Sequence, residues 1–226
     1  MKPEWMLKIK EEVIKKLKAG FIKAVNQTDW VANVVPIPKK DEKVRMCVNF
    51  RDLNKACPKD NFPLPHIDVL VDNIAGSALT SFMDGFLGYN QILMALEDMT
   101  KMTSVTIWGI YCYTIMPFRL KNACATYQRM ATTLLHDEHK ELEVYVDDMI
   151  VKSTTRGEHI TNLRKFFERI KKYKLRLNLN KCTFGVIVGK LLGHMVSSRG
   201  IEVDLTKIKA ILEIPPPKTE KEIRGF

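Results

Sequence analysis

Two short stretches of this sequence put carboxylates where carboxylates are costly. Tyr145-Val146-Asp147-Asp148 lies inside a run of Leu, Val, Tyr, Met and Ile, and Thr80-Ser81-Phe82-Met83-Asp84-Gly85 ends a second apolar run on an aspartate. Adjacent carboxylates in an apolar hairpin carry a desolvation penalty that a cation or open solvent must offset. Asp-Asp also occurs in ordinary solvated turns, and on its own it decides nothing. Asp84 supplies a second acidic strand end. Transfer of a nucleotide to a hydroxyl needs two hard cations roughly 4 Å apart, held by oxygen ligands. One lowers the pKa of the attacking 3′-hydroxyl, and the other steadies the triphosphate and the leaving pyrophosphate. Carboxylates from different strands make such a cradle if the strands lie side by side.

The elements that must position these acids are legible in outline. Residues 80–83 read as a buried strand, and residues 143–152 alternate about Asp147-Asp148 as a β-hairpin with an acidic tip. Trp5, Ile9, Val13 and Leu17 follow helical spacing, with Gly20 as a stop. Residues 30–38 and 44–48 read as a hairpin whose tip, 39–43, is basic. Residues 61–66 are held extended by their prolines. Helical spacing returns at 67–74, 122–135 and 158–173. Strands are expected within 106–115 and 175–196, and a basic helix start follows Pro215-Pro216-Pro217. Regular β-α-β alternation is missing, which favours α+β over a doubly wound sheet.

Composition narrows the class. The 226 residues hold 46% hydrophobic and 27% charged residues, as a globular chain does, and carry a net charge of +10 from 36 Lys+Arg against 26 Asp+Glu. That surplus suits a polyanionic partner or plain solubility. Five scattered cysteines, Cys47, Cys57, Cys112, Cys124 and Cys182, form no C-x-x-C pair, which argues against a disulfide framework and a zinc site. No apolar run approaches a membrane span and no signal-type segment follows Met1, so no membrane partner and an intracellular compartment are expected.

Several motifs then fall in one order. They are Arg45-Met46-Cys47-Val48-Asn49-Phe50-Arg51-Asp52-Leu53-Asn54, the stretch from Ser81 to Gln91, Met116-Pro117-Phe118 with Leu120-Lys121-Asn122-Ala123, Tyr145 to Asp148, and Lys181 to Gly185 with Leu192-Gly193. Collinear, they resemble the reverse transcriptase of gypsy-type LTR retrotransposons, above all the plant elements, from Trp5 to Phe226. The resemblance implies a right-hand polymerase fold, α+β, with an antiparallel palm sheet packed on helices. Fingers would take 1–60 and 92–122, the palm 61–91 and 123–197, and the start of a truncated thumb 198–226. It implies Asp84, Asp147 and Asp148 as catalytic metal ligands for two Mg²⁺, with Mn²⁺ as an alternative. Lys39, Arg45, Gly85, Tyr89, Phe118 and Lys181 would meet the incoming nucleotide. Tyr89 would be the gate against a ribose 2′-hydroxyl, or else a core tyrosine. Lys39 and Arg45 would clamp the triphosphate, or be hairpin surface charge. Lys181 would protonate pyrophosphate, or be a structural charge. Gln91, Lys121, Asn122, Tyr145, Gly193 and His194 would face primer or template.

The partners so implied are an RNA or DNA template with its primer, dNTPs, and other parts of a polyprotein in an oligomer. The setting implied is cytoplasmic, in a virus-like particle. The chain departs from the family pattern at Asn49, Ser104, Ile107, Leu179, Arg119 and Cys124. At the last two the family usually has glycine, which permits positive φ or close backbone approach. A remnant that only binds nucleic acid is therefore the alternative to a working RNA-directed DNA polymerase. A basic module with a plain acidic turn is a third reading, and it requires Asp84 to lie far from Asp147-Asp148.

Overall fold

The computed structural model describes residues 3–28, 30–38, 44–135, 140–202, 208, 209, 212 and 213. Lys39 and the rest of the basic tip lie outside the described residues, as does the helix start after Pro217. Helix α1 (Pro3–Lys18) presents Ile9 and Val13 to a core shared with Ile22, Met46, Val48, Phe50 and Tyr113. Gly20, at φ 71°, turns the chain back so that Ile22 drops into that core. That turn creates β1 (Ile22–Val25), a strand the sequence reading lacks. Strands β2 (Ala32–Pro38) and β3 (Val44–Val48) pair antiparallel as the expected hairpin. Among the described residues only Ala32 and Asn33 of β2 pair on its other side, so Pro36 and Pro38 lie where no described second neighbour needs their missing N–H.

Two short helices, α2 (Arg51–Ala56) and α3 (Ile67–Ile74), precede β4 (Leu79–Asp84). Between β4 and β5 (Thr103–Thr106) lie a 3-10 turn, Gly88–Gln91, and the short helix α4 (Leu96–Met99). The β region expected over 106–115 contains β6 (Gly109–Tyr113); β5 ends where that region begins, at Thr106, and the two strands pair through a turn at 107–108. A five-stranded sheet in the order β1-β6-β5-β2-β3 results.

Helix α5 (Ala123–Leu135) leads to β7 (Leu142–Tyr145) and β8 (Asp148–Ser153), and α6 (Arg156–Lys172) follows. Strands β9 (Thr183–Val186), β10 (Val188–Leu191), β11 (His194–Ser197) and β12 (Gly200–Glu202) complete the order. A four-stranded antiparallel sheet runs β7-β8-β4-β9, beside a three-stranded sheet β10-β11-β12. β8 is covered on both faces, which is why it lacks strict alternation. Met149 and Val151 face Phe166 and Ile170 of α6 and Leu135 of α5, whereas Ile150 faces Leu70, Val71 and Ile74 of α3 and Leu191 and Val196 of the small sheet. β10 crosses so close to β4 that a Cβ at Gly189 would lie 2.0 Å from the Phe82 ring. The class is α+β, as expected, and the four-stranded sheet carries all three aspartates to one end.

Candidate active site

β4 and β8 pair from Leu79↔Ser153 to Asp84↔Asp148, so the two aspartates face each other across the ladder. Such partners sit about 4.5–5.5 Å apart at Cα. The reading as a basic module with an unrelated acidic turn therefore fails. Tyr145 pairs with Asp148, leaving Val146 and Asp147 as a two-residue hairpin turn. Turns of that length need positive φ, and Val146 takes φ 52°. For a β-branched residue this costs about 1–3 kcal/mol.

Gln128 on α5 holds the strained turn. Its Oε1 accepts from Val146 N at 2.8 Å and its Nε2 donates to Val144 O at 2.9 Å. It is 2% exposed. Sequence reading passed over this residue, although a glutamine next to Tyr127 and between Ala123 and Ala131 on the buried stripe of α5 is the signal that could have found it. Gly85 N donates to Asp147 O at 2.9 Å, tying the β4 end to the turn. Gly88 admits the aspartate: a Cβ there would lie 1.7 Å from Asp147 Oδ1.

The electrostatics are those of crowded acids. Burial, then Asp84 and Asp148, push the Asp147 carboxyl up, with Lys181 opposing. Burial and Asp84 likewise push Asp148 up, again against Lys181. Lys181 Nζ stands 2.9 Å from Asp84 Oδ2, and that hydrogen bond raises the lysine's pKa, so it keeps its proton. Asp147 Oδ1 is buried with no hydrogen-bond partner. Orphaned oxygen, surplus negative charge and all-oxygen donors fit a hard divalent cation. Among the described residues no three ligand-type side chains are yet gathered as a metal nest. Asp84 is engaged by Lys181, and Asp147 lies against Gly88.

The wall beside the acids is aromatic. Tyr89 stands edge-on to Phe118 at 5.5 Å and to Tyr127 at 5.7 Å, and its hydroxyl lies 3.0 Å from Cys124 Sγ. Burial and that contact push the Tyr89 phenol well up. Arg119 takes φ 74°, so the chain keeps the left-handed backbone with an arginine there. Asn54 secures it, donating to Arg119 O at 2.8 Å and accepting from Lys121 N at 2.9 Å. Cys124, exposed near the start of α5, is the partner of the Tyr89 hydroxyl.

The remaining expected residues divide. Gln91 gives both ends of its amide to backbone, donating to Phe86 O and Arg176 O and accepting from Arg176 N at 2.7 Å. Asn122 donates to Pro58 O at 2.9 Å and accepts from Asp60 N, while Lys121 Nζ donates to Cys57 O at 2.7 Å. These three are engaged in bracing the loops around the site. Tyr145, like Ala75, Phe82 and Leu192, packs against the core cluster that includes Leu70, Val71 and Ile74 of α3. Leu192 and Gly193, both at positive φ, turn β10 into β11, and exposed His194 opens the latter. Leu192 and Leu191 line a cavity of about 360 Å³ with Asp84, Asp148 and Lys181, which brings this hairpin to the acids. Arg45 is exposed on β3, in the other sheet.

The comparisons agree with this architecture. The foamy viral protease-reverse transcriptase in complex with double-stranded DNA superposes with a TM-score of 0.87 at 21% identity, over 99% of this chain and 39% of that one. The same viral protein with an RNA/DNA hybrid gives 0.85 at 21% identity, over 100% of this chain and 30% of that one. The fold is thus the right-hand polymerase fold of those proteins. A family model described as reverse transcriptase (RNA-dependent DNA polymerase) matches residues 37–219, and the chain belongs to that family. It is 32% identical to the retrovirus-related Pol polyprotein from transposon 297 of Drosophila melanogaster, over 97% of this chain and 21% of the polyprotein. It is 31% identical to the transposon Tf2-3 polyprotein of Schizosaccharomyces pombe, over 99% and 17%. The chain therefore spans about a fifth of the length of the curated relatives it matches. Among the described residues no helix is long and apolar enough to cross a membrane.

Proposed function

We propose that this chain is the RNA-directed DNA polymerase domain of a gypsy-type retrotransposon polyprotein, adding dNTPs to a primer 3′ end. One observation carries the reading: Asp84 and Asp148 are cross-strand partners, and the Asp147 turn is bonded to Gly85 beside them. Asp84, Asp147 and Asp148 would hold Mg²⁺, or Mn²⁺, which would activate the primer hydroxyl and neutralise the triphosphate. The chain's own residues do the rest. Gln128 and Gly88 set the position of Asp147. Lys181 carries a proton beside Asp84, where pyrophosphate would leave, and Tyr89 with Phe118 forms the surface against the nucleotide sugar. Gly85, by its backbone, lets the nucleotide approach. Lys39 and Arg45 would reach the triphosphate from the fingers side.

Template and primer would lie along the hairpin of Gly193 and His194 and past Tyr145. Gln91, Lys121 and Asn122 would act there by bracing loops. The net charge of +10 suits that partner, and the viral relatives' complexes with DNA and RNA/DNA hybrid support the same expectation. Fingers at 1–60 and 92–122 agree with a five-stranded sheet drawn from 22–48 and 103–113. The palm at 61–91 and 123–197 contains the four-stranded sheet, and β12 carries the adjoining small sheet on to Glu202. A cytoplasmic particle and assembly with other polyprotein parts complete the proposal.

The test is primer extension on an RNA template with Mg²⁺, with Asp147→Asn as control. Extension by the parent alone supports the reading; equal signals from both proteins, or none from the parent, sink it. In the latter case, salt-sensitive binding without extension would favour the nucleic-acid-binding remnant.

A further inference from the structure

Two buried polar atoms near the Asp147 turn lack a hydrogen-bond partner: the Tyr127 hydroxyl and Asp147 Oδ1. One is a donor and the other an acceptor. Both border the same glycine segment. A Cβ at Gly85 would stand 3.0 Å from the Tyr127 hydroxyl, and one at Gly88 would stand 1.7 Å from Asp147 Oδ1. Tyr127 is fully buried, and its ring is held edge-on by Tyr89 at 5.7 Å. Buried tyrosine hydroxyls normally find a partner, and an unpaired buried group is destabilising. A phenylalanine would fill the ring space without that burden, so the hydroxyl calls for a reason.

We propose that Tyr127 is a positioning residue for Asp147: its hydroxyl donates to the inner oxygen of that carboxylate while the other oxygen is offered to a divalent cation. In the structure the two atoms are not bonded to each other; the glycines at 85 and 88 leave space beside both, in which a shift of the Asp147 carboxylate would bring them together. Held so, the carboxylate keeps one orientation on a turn whose other hydrogen bonds, from Gln128 and Gly85, reach only its backbone atoms. The inference rests on the metal-site reading above.

Tyr127→Phe in the full chain is the decisive variant. Mn²⁺ affinity is measured by calorimetry without primer or nucleotide, beside the melting temperature and primer extension. Loss of a hydrogen bond to a charged group should weaken Mn²⁺ binding roughly tenfold. The metal concentration that half-activates extension should rise by the same factor, with the KM for dNTP unmoved. In an Asp147→Asn background the Tyr127→Phe change should add no further loss. Unchanged Mn²⁺ affinity with a higher melting temperature would overturn the proposal, because that is the result for a merely unpaired hydroxyl. An equal further loss in the Asp147→Asn background would overturn it too. A parent chain that binds no Mn²⁺ sinks this inference together with the metal site. Mn²⁺ binding without extension sinks only the polymerase reading.

Discussion

The β4–β8 ladder buries polar groups at both of its ends, and the two ends treat them differently. Near Ser81 and Ser153, His159 of α6 is 3% exposed and has both ring nitrogens 2.8 Å from a serine hydroxyl. Asn162 donates to Ser153 Oγ at 3.0 Å, and Gly185 N donates to Ser81 Oγ at 2.9 Å. This network joins α6, β4, β8 and β9 with every member satisfied, which is how buried polar clusters specify a packing. At the other end, Asp147 Oδ1 and the Tyr127 hydroxyl are unpaired, Val146 and Leu87 are at positive φ, and three acids share one small volume. Strain and unmet hydrogen bonds concentrate where chemistry is proposed, and the satisfied network lies some three to five residues away along the same strands.

Variants can break this contrast, and the largest effect should come from the acids. Asp147→Asn should cut primer extension roughly a thousandfold and leave the melting temperature equal or higher, since it removes a carboxylate whose ionisation the fold resists. A fall in melting temperature together with activity would mean that the acid end is structural after all. Gly88→Ala comes next. Its Cβ displaces Asp147 Oδ1, and a misplacement of that size should cost about a hundredfold in turnover; steady-state kinetics would show near-normal turnover if the carboxylate can move aside freely.

Gln128→Leu strips two hydrogen bonds from the Val146 turn and should destabilise by about 3 kcal/mol in urea unfolding. His159→Gln should cost about 2 kcal/mol yet leave turnover per folded molecule nearly unchanged, which is the signature of the satisfied end. Its pH dependence sharpens the point. Burial lowers the His159 pKa from its ordinary 6.5, so the unfolded chain binds a proton first as pH falls. The stability it contributes is therefore full above about pH 6.5 and is lost as pH falls below that value. Unfolding midpoints from pH 7.5 to 5 should decline more steeply for the parent than for His159→Gln; parallel curves would argue against a neutral buried histidine. Arg119→Gly should have the smallest effect, a gain of about 1 kcal/mol from relief of its left-handed backbone, read from the melting temperature.

What the amino-acid order determined by itself was the inventory of groups and the order of the motifs. A hydrophobic run ending in Asp84 and an apolar run around Asp147-Asp148 read as strands with acidic ends. Ordered motifs assign them to a family because motif order survives when overall identity is only about a third. Only the tertiary structure decided which groups are satisfied. Gln91, Lys121 and Asn122 read as nucleic-acid contacts; the fold also engages their polar atoms with backbone, and partners 62 to 85 residues away are invisible to local pattern. Arg119 and Cys124 read as damage, yet one adopts the backbone that glycine would and the other meets the Tyr89 hydroxyl. Gln128, Gly88 and Tyr127 drew no notice as functional residues, since a buried amide, a close approach and an unpaired hydroxyl exist only once β4, α5 and the β7–β8 turn are packed together. Residue type fixes what a group can bond to; packing alone fixes what is within reach.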